Sequence, residues 1–297
     1  MLLIELLLES VRMSKKIMRV IRIAAIAGCI IAAGCAINTI NHVYAQCLAV
    51  PPVDYSGEYP VDIKEHKASE KWESSISRIE KRYDGELPEV DCIFYGSSSI
   101  RKWKTLDEDM SKLKVLNHGF GGAKVPDCLY YADRMITAFK PRAVAFYAGT
   151  NDIGKGASAV ETYYNTLKFF RYINQELPDT RIFYIAQTQQ PDRQKYWTKM
   201  HMLNVMVKKY AKGNPMVTYI NTEKKMNNED GSPRTELFVE DGLHFNAQGY
   251  EEWSSVIRPV IYKKLAHDKK AEKKSAKKQS VEKPYETEPL KGNKLTK

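Results

Sequence analysis

The feature that most constrains the fold is a set of five short apolar segments between residues 92 and 220. They are Cys92–Tyr95, Val115–Asn117, Ala143–Tyr147, Ile182–Ala186 and Val217–Ile220. Apolar runs without polar alternation are typical of strands that are buried on both faces of a parallel sheet. The sequence therefore predicts five strands of this kind.

Segments with helical periodicity alternate with these strands. They cover about residues 67–83, 127–139, 158–177 and 193–211, and a last helix follows Asn246, a suitable N-cap. Repeated strand–helix units of this size predict a parallel sheet between two layers of helices. We therefore expect an α/β protein, a three-layer α/β/α sandwich, with one domain over residues 50–265.

The net charge of +10 is confined to the two ends of the chain. Residues 1–45 sum to +3, residues 263–297 sum to +7, and residues 46–262 sum to zero. The central domain thus lacks the basic excess on which nucleic-acid binding usually depends, and we expect no nucleic-acid partner.

The cysteines do not form a metal motif. No CxxC pair and no Cys/His spacing of a zinc site occurs, so we expect no metal and no cofactor. In an exported protein Cys47, Cys92 and Cys128 would be an odd set, which predicts one free thiol or a pair between chains.

Residues 1–45 are typical of an export signal. Basic residues precede an apolar run over residues 23–34, as in secretory signal peptides. The start is Met1 or Met13. The domain would then lie outside the cytosol, in the cell envelope, the periplasm or the medium.

Three processing outcomes remain open for this segment. Cys35 or Cys29 could be lipidated in a lipoprotein, cleavage after Ala45 could release a soluble protein, or residues 23–40 could stay as a membrane anchor. Membrane association through the N-terminus is therefore one possible property. The Lys-rich segment 266–297 has few apolar residues, which predicts a disordered tail that serves solubility or touches anionic lipid headgroups or wall polymers.

Polar segments follow the predicted strands and precede the last helix. They are Gly96–Ser99, Asn117–Gly122, Gly149–Asp152 and Asp241–His244. Open parallel sheets bind ligands at the carboxyl ends of their strands. Hydroxyls, glycine N–H groups, an amide and a carboxylate–imidazole pair are the groups that acyl transfer needs.

These four segments resemble the conserved blocks of the SGNH (GDSL-like) hydrolase family, in the family's order and spacing. The resemblance covers most of residues 90–262. It implies a flavodoxin-like five-stranded parallel sheet of order 2-1-3-4-5, the SGNH hydrolase fold, and a serine esterase or acylhydrolase activity.

The resemblance also implies the site residues. Ser98 would be the nucleophile, His244 the general base and Asp241 the residue that orients the imidazole. The Ser98 N–H, the Gly122 N–H and the Asn151 amide would form the oxyanion hole. Ser97 stands where the family has aspartate, which puts the supporting hydrogen bonds in question. We expect His118 to be a loop histidine without a catalytic role.

The sequence leaves the substrate open. Export and the lack of a long apolar insertion favour short O-acyl esters, above all O-acetyl esters of carbohydrates or glycoconjugates. A lysophospholipase-like lipase is an alternative, because helix 158–177 is rich in Tyr and Phe. A non-catalytic surface binding lipoprotein is an alternative of another class. Oligomeric state and transfer to an acceptor other than water also remain open.

Overall fold

The computed structural model describes residues 63–64, 66–83 and 85–281. The predictions for residues 1–45 and for Cys47 therefore lie outside the described residues. None of the described helices contains a stretch long and apolar enough to cross a bilayer.

The core of the fold is one parallel five-stranded sheet. Its strands run in the order β2-β1-β3-β4-β5, which confirms the expected topology. The strands are β1 (Cys92–Gly96), β2 (Val115–Gly119), β3 (Ala143–Tyr147), β4 (Arg181–Ile185) and β5 (Val217–Ile220). All residues of β1 and β3 are buried, whereas the edge strands β2 and β5 are partly exposed. The central strands therefore carry the strongest apolar runs in the sequence.

Helices cover both faces of this sheet. They are α1 (Glu73–Glu80), α2 (Ser98–Arg101), α3 (Leu106–Asp109), α4 (Val125–Tyr130), α5 (Ala132–Met135), α6 (Thr150–Gly154), α7 (Ala159–Glu176), α8 (Trp197–Gly213), α9 (Glu223–Met226) and α10 (Ala247–Val281). Short 3₁₀ helices span Lys67–Trp72, Thr137–Phe139, Pro191–Tyr196 and Thr235–Leu237. The predicted strand and helix order is confirmed.

Two apolar clusters form the core, one on each face of the sheet. Ile93, Val144 and Ile182 face the cluster that α1, α4, α7 and α8 complete. Phe94, Ala145 and Phe183 face the cluster of α2, α3 and α10. Adjacent strand residues point to opposite faces, so each continuous apolar run serves both clusters.

The predicted helix over residues 127–139 is divided in the structure. Tyr131 has a non-helical backbone conformation between α4 and α5. Its buried hydroxyl donates to the Ser69 carbonyl oxygen, 2.9 Å away. Arg134 bonds to Glu73 and Glu80 of α1. These tertiary contacts outweigh the helical propensity of the segment.

The last helix is longer than the sequence predicts. It begins after Asn246, whose side chain accepts from the Gly249 N–H at 2.9 Å, and continues to Val281. Residues 266–281 are therefore helical where disorder was expected. The stretch is rich in Lys and Ala, and a packed helix propagates without a new nucleation step. Asp268 also pairs with Arg181 at 2.7 Å. Residues 282–297 lie outside the described residues.

Candidate active site

The carboxyl ends of three neighbouring strands meet at one edge of the sheet. Gly96 at the end of β1 is in register with Gly119 of β2 and with Tyr147 of β3. The segments that follow these residues are the ones that carry Ser98, Gly122 and Asn151. The strand register therefore brings three distant parts of the sequence to one place.

The turn after β1 requires glycine at position 96. Gly96 has φ +140°, and a Cβ there would lie 2.0 Å from the Tyr147 carbonyl oxygen. The same oxygen accepts from the Ser97 N–H at 3.0 Å. The chain turns sharply over β3, so that Ser98 becomes the first residue of α2. Ser97 is buried at this turn.

Hydrogen bonds from outside α2 fix this short helix. The Asn117 amide donates to the Ile100 carbonyl oxygen at 2.7 Å, and its oxygen accepts from the Gly119 N–H. The Tyr250 hydroxyl donates to the Ser99 carbonyl oxygen at 2.8 Å. These bonds satisfy helix-end groups that a four-residue helix cannot satisfy by itself.

Ser98, His244 and Asp241 form one continuous chain of hydrogen bonds. The distance between Ser98 Oγ and His244 Nε2 is 2.8 Å. The distance between His244 Nδ1 and Asp241 Oδ2 is 2.6 Å. With a neutral imidazole, Nδ1–H donates to the carboxylate and Nε2 is left to accept the hydroxyl proton.

The loop before α10 holds the Asp241–His244 pair by local hydrogen bonds. Asp241 Oδ1 accepts from the N–H groups of Leu243 at 2.8 Å and His244 at 2.9 Å. The Val239 N–H donates to the His244 carbonyl oxygen. Gly242 has φ +60°, and a Cβ on it would lie 3.1 Å from the Asp192 amide nitrogen. A tight turn thus brings Asp241 and His244, which are three residues apart in the sequence, into contact.

Asp241 stays ionised because of these contacts. Burial raises its pKa, but hydrogen bonds from the His244 side chain and from the two N–H groups lower it more, to about 2. Lys102 Nζ lies 3.9 Å from Oδ2, but both side chains are partly exposed and such pairs contribute little. A permanent carboxylate can stabilise an imidazolium next to it.

Three candidate oxyanion donors belong to the segments that follow β1, β2 and β3, whose ends are in register. Within the described residues, the N–H groups of Ser98 and Gly122 donate to no protein oxygen. Asn151 Nδ2 donates one hydrogen to the Ala123 carbonyl oxygen at 3.0 Å, which leaves its second hydrogen available. Preorganised donors of this kind can stabilise an oxyanion.

The structure adds two residues that the sequence analysis missed. Arg193 Nη2 donates to Asn151 Oδ1 at 3.0 Å, and Nη1 donates to the Thr150 carbonyl oxygen. This contact determines which end of the Asn151 amide donates. The Trp72 ring packs on Gly122, where a Cβ would lie 3.1 Å from Cη2. Neither residue belongs to the four sequence blocks, so no sequence pattern indicates it.

Two other titratable residues near the strand ends, Asp152 and His118, form hydrogen bonds with residues outside the Ser98–His244–Asp241 chain. Both oxygens of Asp152 accept from the Val125 N–H at 3.1 Å, and burial raises the pKa of Asp152 to about 7. His118 lies on β2 and bonds to Tyr83 and to the Met135 carbonyl oxygen. Burial lowers the pKa of His118 to about 4. It is a neutral core residue rather than a loop histidine.

The described residues hold neither a metal-binding cluster nor an exposed thiol. The described residues contain no group of three His, Cys, Asp or Glu side chains that could hold a metal ion. Cys92 and Cys128 are free and buried, and burial raises the pKa of both thiols.

A model of the GDSL-like Lipase/Acylhydrolase family matches residues 90–252. The chain belongs to this family. The matched region begins before β1 and ends within α10, and it contains Ser98, Gly122, Asn151, Asp241 and His244. The protein is therefore a hydrolase of ester bonds. No curated protein matches the chain.

Solved structures share the fold at low sequence identity. A candidate platelet activating factor from Streptococcus pneumonia is 19% identical, and the match covers 68% of this chain and 100% of that one, with a TM-score of 0.58. A candidate acylhydrolase from Bacteroides fragilis NCTC 9343 is 20% identical; the match covers 66% of this chain and 96% of that one, with a TM-score of 0.55. A GDSL-like lipase from Bacteroides thetaiotaomicron VPI-5482 is 16% identical; the match covers 68% of this chain and 99% of that one, with a TM-score of 0.54. These likenesses establish the α/β/α fold and leave the substrate open.

Proposed function

We propose that this family member is an exported serine esterase that cleaves short-chain O-acyl esters, above all O-acetyl esters of carbohydrates or glycoconjugates. The observation that supports a catalytic serine is the hydrogen-bond chain from Ser98 through His244 to Asp241. Such a chain activates a serine hydroxyl as a nucleophile.

The steps of the proposed reaction follow from this arrangement. Ser98 Oγ attacks the ester carbonyl carbon while His244 Nε2 takes the hydroxyl proton. The carbonyl oxygen becomes an oxyanion that accepts from the Ser98 and Gly122 N–H groups and from the Asn151 amide. His244 then gives the proton to the leaving alcohol, and an acyl-enzyme remains on Ser98.

Water resolves the acyl-enzyme by the same route. His244 removes a proton from the water molecule, the hydroxide adds to the acyl carbon, and the proton returns to Ser98 as the carboxylic acid leaves. Asp241, whose pKa is lowered to about 2, is ionised near neutral pH and stabilises the imidazolium in both steps of the reaction. A sugar hydroxyl in place of this water would make the reaction an acyl transfer.

Two observations support a short acyl group. The large apolar side chains that are exposed among the described residues are Leu87 and Val239, so this part of the chain presents no wide apolar surface for a lipid chain or a lipid interface. The aromatic residues of α7, which motivated the lipase alternative, pack in the core: Tyr163, Phe169 and Phe170 are buried. Export is supported by the sequence of residues 1–45 alone.

The test uses the full-length protein and 4-nitrophenyl esters from acetyl to palmitoyl, with Ser98→Ala, Ser97→Ala and Ser99→Ala. We expect the acetyl ester to have the highest kcat/KM, and Ser98→Ala alone to abolish turnover. Acetate release from a peracetylated sugar then tests the carbohydrate part, and a dissolved alcohol acceptor tests transfer. Faster cleavage of long esters would overturn the acetylesterase proposal. Equal inactivity of wild type and Ser98→Ala on every ester would overturn the catalytic assignment.

A further inference from the structure

A cationic groove is lined by Arg101, which follows the proposed nucleophile Ser98 by three residues on α2. The groove has a volume of about 370 Å³ and opens between α1, α2 and the end of β2. Four basic side chains line it, namely Arg78, Arg82, Arg101 and Lys104, together with a single carboxylate, that of Asp107. We call this cavity the arginine groove.

The positive charge of the arginine groove is not balanced by carboxylates. Within the described residues, Arg78, Arg101 and Lys104 form no ion pair. Arg82 donates to a carbonyl oxygen, that of Asn117, at 3.0 Å, and keeps its other donors. Cations that crowd one cavity repel each other, and an anion between them relieves the repulsion.

The nearby carboxylates of α1 are engaged on another side of the helix. Glu73 and Glu80 both bind Arg134, at 2.8 and 2.5 Å. These two carboxylates thus pair with Arg134, whereas Arg78 and Arg82 line the groove. The unpaired charge therefore belongs to the groove and is not spread over the whole helix.

The arginine groove adjoins the proposed oxyanion donors. Arg101 follows Ser98 by three residues on α2, and side chains at this spacing lie on the same side of a helix. The Arg101 guanidinium packs against Gly121, where a Cβ would lie 3.2 Å from Nε. Gly121 directly precedes Gly122. A group held by Arg101 is therefore close to an ester carbonyl at Ser98.

A second cavity near the site differs in its charge. It has a volume of about 530 Å³, and three lysines, Lys124, Lys155 and Lys168, line it together with the carboxylates of Asp152 and Glu161. The arginine groove has four basic side chains and one carboxylate. The arginine groove therefore carries the larger excess of positive charge and favours an anion more strongly.

We propose that the arginine groove is a subsite for an anionic group, phosphate or carboxylate, that the ester substrate carries. Guanidinium groups bind both by paired N–H···O bonds. The inference rests on the proposed function and narrows its substrate class to esters of anionic molecules, such as O-acylated sugar acids or sugar phosphates. The group stays unchanged in the reaction and serves to hold the ester against Ser98.

The test compares matched esters that differ in charge. The first pair is 4-acetoxybenzoate and its neutral methyl ester, which put the anion on the alcohol side. The second pair is 4-nitrophenyl hemisuccinate and its methyl ester, which put it on the acyl side. The variants of the full-length protein are Arg78→Gln, Arg101→Gln and Lys104→Gln. Lys212→Gln, an exposed change on α8, is the control.

We expect wild type to favour the anionic member of at least one pair. Each groove variant should lower the ratio of kcat/KM for the anionic over the neutral ester about five- to tenfold, through KM, as for loss of one charge-assisted bond near the surface. Lys212→Gln should leave the ratio unchanged. About 0.5 M NaCl should reduce the wild-type preference, because salt screens exposed charges.

Four outcomes separate this inference from the proposed function. An unchanged ratio in the groove variants, with both esters cleaved, would overturn the subsite alone. A parallel fall for both members of each pair would also overturn it, because it would indicate a structural role. O-acetylated glucose 6-phosphate is a further anionic substrate. If the groove variants lower kcat/KM for this ester and leave that for 4-acetoxybenzoate unchanged, the groove is assigned to phosphate. Inactivity of wild type on all esters would overturn the proposed function, and the inference with it.

Discussion

The two halves of the candidate site are held in place by different means. Ser98 follows a fully buried strand, and a glycine pressed against β3 sets its turn. Asp241 and His244 lie in a partly exposed loop that hydrogen bonds between neighbours hold. The strand-end half depends on the sheet and its core, and the loop half depends on a few local contacts. Changes to the backbone of the first half should therefore cost more stability than equivalent changes in the second half.

One carboxylate in each half makes the contrast visible. Asp152, behind the strand ends, has its pKa raised by burial to about 7. For Asp241, in the loop, burial also raises the pKa, but hydrogen bonds from His244 and Leu243 outweigh it and lower the pKa to about 2. The same side chain is thus favoured as the neutral form in one half and as the anion in the other.

Among the changes that keep both Ser98 and His244, the largest effect on activity is expected from Asp241→Asn. An amide can orient the imidazole wrongly and does not stabilise the imidazolium, so kcat on 4-nitrophenyl acetate should fall about 10⁴-fold. The thermal unfolding midpoint should stay close to that of wild type, because the residue is partly exposed. Glu240→Gln is the matched control at the preceding, exposed position. A large loss of stability in Asp241→Asn, or an unchanged activity, would contradict the difference between the strand-end half and the loop half.

A pair of glycine substitutions compares the two halves directly. Gly96→Ala places a methyl group 2.0 Å from the Tyr147 carbonyl oxygen, and should lower the free energy of unfolding by about 3–5 kcal/mol. Gly242→Ala puts alanine at φ +60° at a cost of about 1–2 kcal/mol, and its kcat should fall up to about 10²-fold as the pair shifts. Urea unfolding and initial rates measure both. Equal losses of stability would contradict the contrast.

Asn151→Ala should lower kcat about 10²–10³-fold, as for loss of one oxyanion donor. Arg193→Gln should have a smaller effect, about tenfold, because Arg193 only positions the amide of Asn151. The two changes should not be additive, since without Asn151 the Arg193 contact has nothing to position. A double-mutant cycle on 4-nitrophenyl acetate measures this. Full additivity would remove the positioning role of Arg193.

The last expected effect concerns stability alone and is a dependence on pH that Asp152 sets. Because the folded-state pKa of Asp152 is raised, the folded chain holds one more proton than the unfolded chain between about pH 4 and 7. This contribution is present at low pH and is lost as the pH rises through about 7. Asp152→Asn should remove this pH-dependent contribution. The free energy of unfolding of the variant, measured by urea unfolding, should therefore rise relative to that of wild type between pH 5 and 8. If the free energies of unfolding of the two proteins change in parallel with pH, burial does not disfavour the charged form of Asp152.

The sequence predicts the sheet almost completely, because the five apolar runs report burial on both faces. It predicts which segments meet at the strand ends, and the structure brings Ser98, His244 and Asp241 within hydrogen-bonding distance. It does not predict Arg193, Trp72 or the division at Tyr131. Each of these depends on a contact between residues far apart in the chain, and such contacts leave no periodicity. The length of α10 was also missed, because composition alone cannot show that Asp268 pairs with Arg181.

His244 and Asp241 should activate Ser98 and not the serine on either side of it. Covalent labelling with a fluorophosphonate, followed by peptide mapping of residues 92–101 by mass spectrometry, identifies the activated residue. We expect one label, on Ser98, and a labelling rate that collapses in His244→Ala. A label on Ser97 or Ser99, or the same labelling rate in His244→Ala as in wild type, would contradict it.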